Sequence, residues 1–252
     1  MYHTTGCTDE QIDFLCAEIA GRILEGERVE YPPSLGLRDS VIVALTYMKT
    51  NRREAEIAEE KGVSQPTISR AITGITPHIA GVVETFVPTA DELDLQEQYV
   101  VDGSLLPSWS WRSHPELYSG KHKTTGLNVQ FACDLGGDLA WISDPFDGRR
   151  HDSYCLSASG ALDGFPAGSW IGDKGYVGLD MLTPIKKPKG RALLDWEREF
   201  NTRVNRVRYV IERTIANFKT WRVVHTDYRR PIHTFAQTIS AVIGLQFLRL
   251  TA

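Results

Sequence analysis

The first helical signal lies near the start of the chain. In residues 9–25, DEQIDFLCAEIAGRILE, the apolar positions Ile12, Leu15, Ile19 and Ile23 recur at the spacing of one helix face. The next stretch, GERVEYPPSLGL, is turn-rich and stops that pattern at Pro32-Pro33. A second helix is predicted over about 38–49, with Asp39 or Ser40 near its start. In NRREAEIAEEKGVSQPTISRAITGI, residues 53–61 predict a short helix ended by Gly62, and Ser64 suits the N-cap of another. Ala58 is small, Gly62 supplies a tight turn followed by Val63, and Ile68, five residues on, supplies an apolar residue for the buried side of the second helix, as a helix-turn-helix requires. Its outer face would carry Gln65, Thr67, Ser69 and Arg70, short polar or basic groups suited to bases and phosphates. A plain helical hairpin in a bundle is the competing reading.

After Pro88 the period changes. Residues 98–102 (QYVVD), 127–133 and 139–143 predict strands, and Gly136-Gly137 is a hairpin signal between the last two. A helix is predicted near Asp152, a fourth strand over 169–172 ends at Asp173, and residues 193–250 read as helical with a break near Pro231. Three strands, a helix, a strand and further helices predict a mixed α/β domain. The polar stretch 88–98 is the expected boundary, giving an all-α domain over 1–90 and an α/β domain over 98–252.

Composition adds little at first: 252 residues, 42% hydrophobic and 24% charged, with no internal repeat. No apolar run reaches the ~20 residues that span a bilayer, and MYHTTGCTDEQ has no leader pattern, so neither membrane nor secretion is expected. Cys7, Cys16, Cys133 and Cys155 lie far apart without a CxxC pair, which predicts reduced thiols in a cytoplasmic protein. Charge changes the picture. The net value is −4, yet residues 1–180 hold 14 Lys/Arg against 27 Asp/Glu and residues 181–252 hold 14 against 5. A basic C-terminal third in an acidic chain suggests a polyanionic partner or a solvated helix face paired with acids elsewhere.

Three acids stand out in that frame: Asp102 at the end of the first strand, Asp173 at the end of the fourth, and Glu212 on the late helix. Strand-end acids at the carboxyl edge of an α/β sheet face the usual ligand region. Three converging carboxylates repel unless a cation lies between them, and Mg2+ or Mn2+ prefers oxygen ligands. Two such ions can activate an attacking oxygen and stabilise a leaving one in phosphodiester chemistry. Val204, Val207, Ile211, Ile215 and Phe218 form the stripe predicted to face the sheet, with Glu212 at its edge and Arg203, Arg206, Arg208, Arg213, Lys219 and Arg222 towards phosphates. Each acid has a simpler reading: Asp102-Gly103 as a turn, Asp173 as a cap before Gly175, Glu212 as a surface partner of Arg208.

VVDGS, GDKGY and IERTIANFK, preceded by GVSQPTISRAI, resemble the DDE transposases of bacterial insertion sequences, nearest to the Harbinger-like branch. The likeness covers about residues 38–247, and 38 residues separate Asp173 from Glu212. It implies a ribonuclease-H-like catalytic domain with Asp102, Asp173 and Glu212 binding two Mg2+ (or Mn2+) ions, cleavage at transposon ends, and joining of a 3′ hydroxyl to target DNA. It further implies double-stranded DNA partners (terminal inverted repeats and target), a homo-oligomer on DNA, a nucleoid-associated bacterial location, and support roles for Tyr176, Arg213 and Lys219. In HDS, Asp152 is read as an N-cap or a support for the metal ligands, with direct ligation as its alternative, and His151 as a hydrogen-bonding neighbour. The basic loops containing Lys121, His122 and Lys123, and Lys186, Lys187, Lys189 and Arg191, are candidate DNA contacts or solvated loops. Trp109 and Trp111 are candidates for base stacking or burial. A non-catalytic DNA-binding protein derived from a transposase, or a stand-alone metal-dependent nuclease, are the competing functions.

Overall fold

The computed structural model describes residues 2–109 and 113–251. Trp111 lies outside the described residues. The chain divides into two compact units, one of Met1–Val87, Pro107–Trp109 and Lys219–Ala252, the other of Pro88–Leu106 and Ser110–Phe218. Each is built around its own core.

The first unit is helical: α1 (Tyr2–Thr5), α2 (Asp9–Leu24), α3 (Gly36–Thr50), α4 (Glu54–Lys61), α5 (Gln65–Val83) and α8 (Phe235–Leu248). Thr8 and Gln11 form a reciprocal capping box at the start of α2, which satisfies two otherwise orphaned backbone donors. Ile12, Leu15 and Ile19 are fully buried, whereas Ile23 is half-buried where the helix frays. Residues 41–48 of α3 are buried on every face, which explains their continuous apolar run. Gly62 ends α4 with φ +65, the left-handed conformation that a glycine adopts without strain. Ser64 is the N-cap of α5, but its hydroxyl meets the Thr67 hydroxyl at 2.9 Å and makes no capping bond to the backbone. Thr67 is buried, a correction to its expected exposure: it turns inward beside Ile68. Helix α8 exposes Ala236, Gln237 and Ser240 in its first turns and is buried on every face over residues 241–248, with Phe235, Ile239, Val242 and Leu245 fully enclosed.

The second unit is mixed α/β. Its strands are β1 (Tyr99–Pro107), β2 (Tyr118–Ser119), β3 (Thr124–Cys133), β4 (Leu139–Ile142), β5 (Phe146–Asp147) and β6 (Trp170–Ile171), with helices α6 (Asp152–Ala158) and α7 (Asp195–Phe218). The sheet order is β2-β3-β1-β6, and β4 and β5 also pair with β3. β1 and β6 are parallel, with Tyr99 opposite Trp170 and Val100 opposite Ile171, while β3 is antiparallel to β2, β4 and β5. One core, with Tyr99, Val101, Trp141, Leu156, Trp170 and Tyr176, lies beside α6. Phe131 of β3 meets Phe218 of α7 edge-on with ring centroids 5.0 Å apart, fixing α7 to the sheet.

Several expectations change here. Strand β1 does not stop at Asp102. It continues to Pro107, because Ser104, Leu105 and Leu106 are buried beyond the half-exposed Asp102-Gly103 pair. The helical stretch read over 193–250 is two helices separated by residues 219–234, a wider interruption than Pro231 alone. Val207, assigned to the buried stripe of α7, is 37% exposed, while Thr214 is buried in its stead. Residues 219–252 belong to the helical unit, so the compact units differ from the expected 1–90 and 98–252 division.

Candidate active site

Asp102 lies at the fourth position of β1, where the continuous run of buried residues is interrupted. Asp173 follows β6, the parallel neighbour of β1. Its carboxylate accepts the Gly175 N–H at 2.6 Å and caps a single 3-10 turn at Lys174–Tyr176, as its simpler reading expected. Asp152 opens α6, and the N-cap position expected of it belongs to His151, which is exposed and makes no side-chain cap. The Asp152 carboxylate instead turns towards β1 and β3. It accepts from Lys121 Nζ at 2.8 Å and from Asn128 Nδ2 at 2.8 Å, and Gln130 Nε2 in turn donates to Asn128 Oδ1 at 3.1 Å. Tyr176 is fully buried and donates its hydroxyl to Gln130 Oε1 at 2.6 Å.

The electrostatics join these groups. Burial pushes the Asp102 carboxyl up to about 6; Arg208 opposes that shift, and the charges of Asp173 and Asp152 add to it. Burial also acts to raise the Asp152 carboxyl, but hydrogen bonds from Lys121 and Asn128 and the Lys121 charge outweigh it and hold Asp152 below the usual range. Burial, then the fields of Asp152, Asp102 and Asp173, push the Tyr176 phenol well up, so it remains a neutral donor. Arg208 of α7 approaches Asp102 Oδ2 at 3.8 Å, with only 17% of its side chain exposed.

The structure therefore brings Asp102, Asp152 and Asp173 into one electrostatic field, together with Lys121, Tyr176 and Arg208. Glu212 lies one helical turn beyond Arg208 on α7, is exposed, and enters no hydrogen bond or ion pair among the described residues. Among those residues no group of three His, Cys, Asp or Glu side chains is close enough to hold a metal ion. The donor chemistry nevertheless fits a hard divalent cation. The groups are carboxylate oxygens, and a buried carboxyl raised by its acidic neighbours is relieved by positive charge.

The remaining candidates are more dispersed. Lys123 is exposed with φ +53. Arg213 donates to the Gly136 carbonyl at 2.9 Å, so this arginine expected to face phosphates also clamps the β3–β4 hairpin. Lys219 follows α7 and starts the segment assigned to the helical unit. Lys186, Lys187 and Lys189 are exposed, whereas Arg191 pairs with the buried Glu197 at 2.6 Å. Of the α5 group, Gln65 donates to Glu54 at 2.6 Å, Ser69 is half-buried, and Arg70 is exposed and donates to the Pro66 carbonyl. Trp109 is 58% exposed. The supporting residues Asn128 and Gln130 were missed in the sequence. Their signal was two polar residues at alternate positions, and therefore on one face, of the otherwise apolar strand LNVQFAC.

Strand-borne acids in a mixed sheet, flanked by a basic helix, define a class of α/β proteins suited to phosphodiester chemistry. A family model described as "DDE superfamily endonuclease" matches residues 101–246, and the chain belongs to that family. It is thus an enzyme of the endonuclease type, from a superfamily that uses divalent metal ions. The chain is 27% identical over 222 residues to a Streptomyces albus G protein named "Putative transposase for insertion sequence element IS112", covering 87% of this chain and 83% of that one. It is 26% identical over 223 residues to a Microchaete diplosiphon protein named "Probable transposase for insertion sequence element IS702", covering 84% and 80% respectively. No solved structure matches at comparable stringency. No helix among the described residues is long and apolar enough to cross a membrane.

Proposed function

We propose that the protein is a transposase of an insertion sequence, which cleaves DNA at the element's ends and joins the freed 3′ hydroxyl to target DNA. The observation that carries this reading is the placement of Asp102 on β1 and of Asp173 after β6, its parallel neighbour, where burial and the charges of Asp173 and Asp152 push the Asp102 carboxyl up. Such a group is poorly satisfied alone and well satisfied beside a bound cation. Asp102 and Asp173 are the core pair of ligands, and Glu212 is the third acid, supplied by α7. Mg2+ or Mn2+ held there, two ions per site, would activate the attacking oxygen and stabilise the leaving one.

The chain's own residues do the rest. Tyr176, Gln130 and Asn128 form a hydrogen-bonded line that orients Asp152. Lys121 neutralises Asp152, and Arg208 offers its guanidinium next to Asp102, where a backbone phosphate would need it. A second reading exchanges Glu212 for Asp152 as the third ligand. It is favoured by the charge of Asp152 acting on Asp102 and by the isolation of Glu212 among the described residues.

The α/β unit is read as a ribonuclease-H-like catalytic domain, and α4–α5 as a helix-turn-helix that contacts the terminal inverted repeats. The partners are double-stranded DNA and a second copy of the chain, since two ends must be held together, and the setting is the bacterial cytoplasm and nucleoid. The test is Mn2+- or Mg2+-dependent cleavage of duplex carrying the element's own ends. Wild type is expected to cut, and Asp173→Ala and Glu212→Ala to bind without cutting, with rates down at least a hundredfold. If Glu212→Ala still cuts and Asp152→Ala does not, Asp152 is the third ligand. Binding without cleavage by wild type in either metal would leave a DNA-binding protein without catalysis.

A further inference from the structure

A cleft of about 670 Å3 opens in the helical unit between the start of α4, the outer face of α5 and the segment at residues 229–231. It carries four arginines, Arg52, Arg53, Arg229 and Arg230, against one carboxylate, Glu54. Their partners differ. Arg230 is nine-tenths buried, pairs with Glu54, and donates to Thr73 Oγ1 at 2.6 Å, so it fixes the start of α4 to α5. Arg52 is engaged by Glu60 at 2.6 Å. Arg229 donates only to neutral oxygens, the carbonyl and side chain of Asn51. Arg53 is exposed at the N-cap of α4 and has no side-chain partner among the described residues. Among the described residues, neither of these two guanidinium groups pairs with an acid.

The floor supplies an independent observation. Tyr47 is 3% exposed and lines the cleft, and its buried hydroxyl has no hydrogen-bond partner among the described residues. A buried hydroxyl without a partner is costly, and a water or a ligand oxygen admitted to the cleft would relieve it. Burial also pushes this phenol well above its ordinary range, which keeps it a proton donor. Asn51, which accepts from Arg229, is itself held in place: its Nδ2 donates to Thr226 Oγ1 at 2.7 Å and to the Asp227 carbonyl at 3.2 Å.

We propose that this cleft is a phosphate-binding site that seats the sugar-phosphate backbone of duplex DNA beside the residues of α5, with Arg53 and Arg229 as the charged contacts. This rests on the reading of α4–α5 as a DNA-contacting pair and adds a C-terminal segment, far away in sequence, to that surface. Such contacts position the duplex without reading its sequence.

The test is equilibrium binding of the full chain to labelled duplexes in EDTA across a salt series, which leaves cleavage out of the measurement. Arg53→Ala and Arg229→Ala are each expected to lower the slope of log affinity against log salt by about one, and to weaken binding roughly eightfold at 0.1 M salt, equally for related and unrelated sequences. Arg229→Lys should recover most of that slope. Thermal melts check that each variant is folded, and Arg53, with no internal partner, keeps the test sound if Arg229→Ala is unstable. Arg28→Ala, which removes an exposed charge elsewhere on the same unit, should leave the slope unchanged. Wild-type slopes in both Ala variants would overturn the proposal while leaving the transposase reading intact. So would an equal loss in Arg28→Ala, or stabilisation by inorganic phosphate alone with unchanged DNA binding; a wild type that retains no duplex at low salt would overturn the proposal and the transposase reading together.

Discussion

Gly103 shows how closely the acid site is packed. A Cβ built there would come within 2.4 Å of Asp152 Oδ1 and 2.8 Å of Gln130 Nε2. Only a residue without a side chain lets the Asp152 carboxylate lie against β1 and act on Asp102. Gly103→Ala is therefore expected to destabilise the protein by about 1–3 kcal/mol through overpacking, read as a lower urea midpoint at unchanged m value. A wild-type midpoint would mean that Asp152 moves aside freely. In the sequence, Asp102 read as a strand-end acid, and Gly103 entered only through the simpler reading of Asp102-Gly103 as a turn. What it hid is that the glycine sits inside a strand, where its missing side chain makes room for another residue's carboxylate. Asp152 was likewise visible as an acid in HDS. Its partners Asn128 and Gln130 were not, because the contact depends on how β1, β3 and α6 are stacked and not on local spacing.

At the scale of elements, periodicity worked where one face is buried and failed where tertiary contacts set the limits. Helix α2 and the β3–β4 hairpin follow directly from their apolar spacing and from Gly136-Gly137. The length of β1 does not, because its outer half is held by burial of Leu105 and Leu106. The start of α7 at Asp195 lies two residues from the expected 193, and side-chain bonds fix it there. The Glu197 carboxylate takes Arg191 through both guanidinium nitrogens, at 2.6 and 2.7 Å, and accepts the Leu194 N–H at 2.7 Å, tying the preceding loop to the first turn. Arg191 hydrogen bonds, then the Leu194 N–H, hold the Glu197 carboxyl down at about 2. The folded state thus stays ionised where the unfolded chain takes up a proton. The resulting stability is fully present above the ordinary glutamate range and is lost as pH falls towards 2. Glu197→Gln should accordingly lower the melting temperature most near neutral pH, and the gap to wild type should close as pH drops through about 4 towards 2. A gap that is constant with pH would mean that the carboxylate charge contributes nothing to holding α7.

At the scale of the whole molecule, the chain leaves the helical unit at Val87, builds the α/β unit except for Pro107–Trp109, which belong to the first unit, and returns at Lys219 to complete the first core. Composition could not show that return. Residues 219–252 are helical and basic like α7, so the sequence joins them to the α/β domain, but the partners of α8 are elsewhere. A Cβ on Gly244 would come 2.2 Å from the Val83 side chain, and Gln11 Nε2 donates to the Leu248 carbonyl at 3.2 Å. Trp221 is buried with its indole N–H on Gln246, and Lys49 lies over its ring at 5.0 Å. A fragment of residues 98–252 would carry α8 without α2, α3 and α5, exposing an apolar surface with no cover. A fragment of residues 88–218 would keep its own core. Expressed side by side, the longer fragment is expected to aggregate and bind a hydrophobic dye, and the shorter to elute as a single compact species on size exclusion. The opposite result would assign α8 to the α/β domain, as the sequence alone suggests.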